Sequence, residues 1–76
     1  MTAKEMFEDL GYKVISEWFG GVEYQKKSTT ISGEYWKNKI VIDKSCGIYS
    51  DKYFGININK AIQKQIEELE WEKNDN

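Results

Sequence analysis

Tyr35-Trp36-Lys37-Asn38-Lys39-Ile40-Val41-Ile42-Asp43 is the stretch that decides the reading of this 76-residue chain. Its heart, Ile40-Val41-Ile42, is a run of β-branched residues. Such side chains are stiff at χ1 and pack well on a pleated surface. The strongest strand is therefore expected at 35–43. Forwards from it, Asp43-Lys44-Ser45-Cys46-Gly47 carries turn chemistry, and Ile48 to Phe54 returns as the last strand. Backwards, the polar segment Thr29 to Glu34 reads as a loop and Val22 to Ser28 as a strand. Gly20-Gly21 is a two-residue hairpin signal. Tyr12 to Phe19 reads as the first strand, with an irregular connection as the alternative.

Both ends read as helices. Thr2 and Glu5 have the spacing of a capping box, in which hydroxyl and carboxylate satisfy backbone N–H groups of the first turn. Ala3, Met6, Phe7 and Leu10 follow at helical spacing, and Gly11 supplies the left-handed geometry that ends helices. At the other end, Ile58, Ala61, Ile62, Ile66 and Leu69 form one face of a 3.6-residue period. Asn57 is the expected N-cap, and Lys64 and Glu68 are an expected (i, i+4) ion pair. The fold class is α+β: an N-terminal helix, a three- or four-stranded antiparallel meander and a C-terminal helix, in two layers. One domain spans 1–76, with 73–76 expected to fray. Each helix has a single apolar face, so both should cover the same side of the sheet.

Strict alternation along the strands then divides their residues. Trp36, Ile40, Ile42, Ile48 and Phe54 are expected in the core. Tyr35, Lys37, Lys39, Val41, Tyr49 and Tyr53 are expected on the uncovered face.

Composition narrows the chemistry. The chain has no histidine, and all eleven of its basic residues are lysine. Histidine is the side chain that titrates nearest neutrality, and arginine grips phosphate and carboxylate through two bonds at once. A chain without either is poorly equipped for acid/base catalysis, zinc binding or phosphoryl transfer. Glu17, Glu23, Glu34, Asp43 and Asp51 are scattered, with nothing in the spacing to pair two in a cleft. Cys46 has no histidine to serve as its base. Glycine-rich phosphate loops and calcium-loop spacings are absent. No catalytic residue, metal ligand or cofactor is therefore expected. The net charge of −2 is not that of a general nucleic-acid binder. The lone cysteine suits a reducing cytoplasm. The charged start lacks the apolar region of a signal peptide, and no apolar run reaches membrane-spanning length, so a cytoplasmic protein without a membrane role is expected.

Function is then expected to lie in surface contact. Aromatic rings among lysines, as in Tyr35, Lys37, Lys39, Tyr49 and Tyr53, can anchor a protein partner or stack nucleic-acid bases. Trp18 beside the Gly20-Gly21 turn is either a further anchor or folds back over the sheet to finish the core, and the structural role is the first expectation. The acidic stretch Glu67, Glu68, Glu70, Glu72 and Asp75 suits a basic partner. Trp71 shares the choice between anchor and core. Self-pairing of the uncovered face as a homodimer is a further arrangement. A small enzyme or ligand-sequestering protein would need a pocket between helices and sheet, or across a dimer.

The two ends also resemble a known group. Residues 2–12, Thr-Ala-Lys-Glu-Met-Phe-Glu-Asp-Leu-Gly-Tyr, resemble the opening of small uncharacterised proteins carried by phages and prophages of Gram-positive bacteria. Residues 61–71, Ala-Ile-Gln-Lys-Gln-Ile-Glu-Glu-Leu-Glu-Trp, resemble their closing helix, where that family often has glycine at the position of Glu70. The likeness covers the ends and not the middle strands. It implies an accessory protein of a mobile element, of a kind that binds a bacterial host protein and inhibits host or antiviral-defence machinery. A nucleic-acid-binding module using tyrosine and lysine on the open sheet face is the alternative.

Overall fold

The computed structural model describes residues 1–69. Helix α1 spans Ala3–Asp9, strands β1 Tyr12–Trp18, β2 Gly21–Thr30, β3 Gly33–Asp43 and β4 Gly47–Ser50 follow, and helix α2 spans Ile56–Glu68. The four strands form one antiparallel meander in the order β1-β2-β3-β4. The expected α+β order is therefore observed, with four strands. Residues 70–76, which hold Trp71 and the expected frayed tail, lie outside the described residues.

The capping box forms as the sequence predicts. Thr2 Oγ1 accepts from the Glu5 N–H at 3.1 Å, and Glu5 Oε1 accepts from the Thr2 N–H at 2.9 Å. Gly11 adopts φ +93° just beyond the end of α1. α2 starts earlier than expected, with Gly55 rather than Asn57 at its N-cap.

Residues directly opposed in an antiparallel pair share a face. The register places Tyr12 and Val14 of β1, Val22 and Tyr24 of β2, Ile40 and Ile42 of β3, and Ile48 of β4 on one face. Phe7 of α1 and Ile58, Ala61, Ile62 and Ile66 of α2 join the buried members of that set in a single core. Both helices therefore cover the same side of the sheet, as two amphipathic elements must in a two-layer domain. Phe7 stacks on Tyr24 with ring centroids 3.9 Å apart and meets Tyr12 edge-on at 5.9 Å. Full burial of a side chain such as Phe7 or Ile62 contributes about 1.5–3 kcal/mol.

Three residues expected in the core lie outside it. Trp36, Ile48 and Phe54 are each at least two-fifths exposed. Trp36 is displaced by an irregularity in β3. Tyr24 pairs with Ile40, but Lys26 pairs with Lys37, so Asn38 and Lys39 together stand opposite Gln25. Asn38 occupies the left-handed region at φ 56°, where asparagine is tolerated better than most side chains. The extra residue reverses the alternation below it, and Trp36 turns to the uncovered face. Ile48 faces the helices but sits on the short edge strand β4. Phe54 lies in the connection to α2, because β4 ends at Ser50 rather than continuing to 54.

The expected 29–34 loop is also mostly strand. β2 runs to Thr30 and β3 starts at Gly33, leaving only Ile31 and Ser32 as the turn. β1 pairs with β2 only as far as Lys26, and β4 pairs with β3 only from Ile40. Among the described residues, 27–37 thus form a two-stranded arm with no neighbour on either edge.

Candidate functional site

The uncovered side of the sheet is built from the alternate strand residues. At one end Trp18, Gly21 and Asp43 stand side by side across β1, β2 and β3. Gly21 has no side chain, and the Trp18 indole fills that space: a Cβ on Gly21 would collide with the ring. The indole Nε1–H donates to Asp43 Oδ2 at 2.5 Å. The other carboxylate oxygen accepts from the Ser45 and Cys46 N–H groups at 2.7 and 3.1 Å. These donors, with the indole first in effect, hold the Asp43 carboxyl below its ordinary value. Charge-assisted hydrogen bonds favour the ionised form.

In the next row, Glu23, Val41 and Tyr49 are paired across β2, β3 and β4. Further along, Lys27 of the arm bridges to Glu34 at 2.8 Å and lies 5.7 Å from the centre of the Trp36 ring. Trp18, Tyr49 and Trp36 are all partly exposed on this face. Its charged members are of both signs.

The expected set of surface residues does not converge. Tyr49 and Trp18 lie on the uncovered face. Tyr35 and Lys37 lie on the other face of the arm, opposite Ser28 and Lys26, because the bulge turned them over. Lys39 sits in the bulge, where its carbonyl accepts from the Asp51 N–H at 3.1 Å. Tyr53 is fully exposed in the connection after β4. Glu67 is exposed and 3.9 Å from Lys64 in an (i, i+3) pair. Glu68, expected to pair with Lys64, instead accepts from the Ala3 N–H at 2.8 Å and ties α2 to the first turn of α1.

Sequence reasoning missed Gln65. It is a buried polar side chain of the core, and its Oε1 accepts from the Tyr24 hydroxyl at 2.6 Å. The signal was available: Gln65 lies three residues after Ile62 and four after Ala61, within the apolar stripe. Burial, aided by the negative charges of Glu68, Glu17 and Glu8, pushes the Tyr24 hydroxyl pKa well above its ordinary value. That hydroxyl stays protonated and is a structural donor.

Three surface hollows among the described residues are open rather than enclosed. One of about 450 Å³ is bordered by Ser50, Asp51, Lys52 and Tyr53. A smaller one, about 160 Å³, lies between Met6, Leu10 and Asn57 at the meeting of α1 and α2. Among the described residues, no group of three or more histidine, cysteine or carboxylate side chains converges to hold a metal ion. No helix among them is long and apolar enough to cross a membrane. No protein-family model matches the chain, and comparison with curated proteins and with solved structures finds no match.

Proposed function

We propose that the chain is a non-catalytic accessory protein of phage or prophage type that binds a bacterial host protein and thereby inhibits the host or antiviral machinery to which that protein belongs. The observation that carries this reading is the uncovered sheet face. Trp18, Val41, Tyr49 and Trp36 supply partly exposed apolar area there, among Glu23, Lys27, Glu34 and Asp43. Aromatic anchors within a rim of mixed charge are the anatomy of a protein-binding patch. The same carboxylates would repel phosphate, which favours protein over nucleic acid on this face. The likeness of residues 2–12 and 61–71 to phage-encoded proteins supports the origin.

The test is affinity capture from a Gram-positive lysate with the wild-type chain and a Trp36→Ser/Tyr49→Ser variant. The expected result is a host protein held by the wild type, released by the variant, and bound again when purified. Failure to retain a host protein above background, or equal retention by both chains, would overturn the reading. Sedimentation of both chains shows whether the face pairs with itself instead.

A further inference from the structure

The arm formed by residues 27–37 and its base has a second face, distinct from the surface assigned to a protein partner. On that face Lys26 stands directly opposite Lys37, Ser28 opposite Tyr35, and Thr30 opposite Gly33. No carboxylate belongs to this face of the arm. Among the described residues, neither Lys26 nor Lys37 forms an ion pair. Like charges directly opposed across a strand pair are destabilising, and an anion bound between them would offset that repulsion. Residues 26–39 carry four lysines and one glutamate in a chain whose net charge is −2. Positive charge is thus concentrated in the arm together with its base and bulge, and the rest of the chain is strongly acidic.

Shape selects among anions. The arm is a two-stranded ribbon, free on both edges among the described residues, whose four paired positions beyond the sheet span about 10 Å. The major groove of B-form DNA, roughly 12 Å wide, admits a two-stranded ribbon, whereas the major groove of A-form RNA is too narrow. Lysine, serine, threonine and tyrosine side chains are suitable donors to phosphate. Ile31 at the tip is fully exposed and would lead the ribbon towards the apolar methyl groups of thymine.

We propose that this arm is a DNA-binding element that enters the major groove of a duplex, with Lys26 and Lys37 on the phosphates and the acidic body held away. The inference goes beyond the protein-binding reading and uses a different face.

The experiment is fluorescence anisotropy with a labelled duplex about 20 base pairs long, titrated with the chain across a salt series. Binding at low salt should fall with a log–log slope of about −2 to −3, as expected for two or three neutralised phosphates. Lys26→Glu/Lys37→Glu should lose at least ~tenfold in affinity. The single variants Lys26→Gln and Lys37→Gln, which relieve the repulsion and should fold at least as well, should each weaken binding. Tyr49→Ser, on the protein-binding face, should leave duplex affinity unchanged. Absence of binding at low salt, equal binding by the lysine variants, or tighter binding to the single strand than to the duplex would overturn the proposal. If the duplex fails to bind while the lysine variants lose a captured host protein, the arm belongs to the protein contact instead.

Discussion

The Trp18 indole lies across Gly21 and donates its N–H to Asp43, so one hydrogen bond spans three strands at the end of the sheet. The arrangement works because the middle strand has only a hydrogen atom at the crossing point. It also ties two turns together. Asp43 organises the β3–β4 turn through Ser45 and Cys46, and the Lys44 N–H donates to the Gly20 carbonyl at 2.8 Å.

Gly21→Ala should therefore be more damaging than a glycine replacement in a strand would suggest. The added methyl group meets the indole and must push it off the sheet. Overpacking of this kind costs about 1–3 kcal/mol. Urea denaturation of the variant should show that loss. Trp18→Ala/Gly21→Ala should recover part of it, because the collision is gone.

Acid should weaken the same corner. Asp43 has a folded pKa below its ordinary 3.8, chiefly through the indole and then through Ser45 and Cys46. A depressed carboxylate contributes stability that is present above the unfolded pKa and is lost as pH falls through the folded one. Melting temperature should accordingly fall as pH drops below about 4. Glu5, lowered chiefly by the Thr2 backbone N–H, acts in the same direction. Asp43→Asn in a Glu5→Gln background should flatten the acid limb further than Glu5→Gln alone.

The Tyr24–Gln65 pair should behave as a coupled unit. Tyr24→Phe leaves the Gln65 oxygen without its donor, and Gln65→Leu leaves the Tyr24 hydroxyl without its acceptor. An unsatisfied buried polar group costs about 1–3 kcal/mol. The double variant Tyr24→Phe/Gln65→Leu should be more stable than the sum of the two single losses. A double-mutant cycle by chemical denaturation measures the difference.

Asn38 should tolerate glycine and reject β-branched residues. At φ 56° an L-residue with a branched Cβ is strained by about 1–2 kcal/mol. Asn38→Val should lower stability by about that amount, and Asn38→Gly should be close to neutral.

Local chemistry was legible from the chain alone. The Thr2–Glu5 cap, the Gly11 stop and the apolar stripes of both helices depend on neighbours within a few residues, and each formed where the spacing placed it. The antiparallel order followed too, since short turns leave consecutive strands little choice but to pair. What needed the folded molecule was which way the strand side chains point. Alternation has a period of two, so one extra residue at Asn38 and Lys39 exchanged the faces of Tyr35, Trp36 and Lys37 while leaving Ile40 and Ile42 in place. Such a bulge is defined only by the partner strand, whose Gln25 stands opposite both residues. The length of the arm likewise depends on where β1 and β4 stop pairing. Burial of Gln65 depends on the Tyr24 hydroxyl reaching it from another element. Each is a relation between distant parts of the chain, and no window of sequence contains both partners.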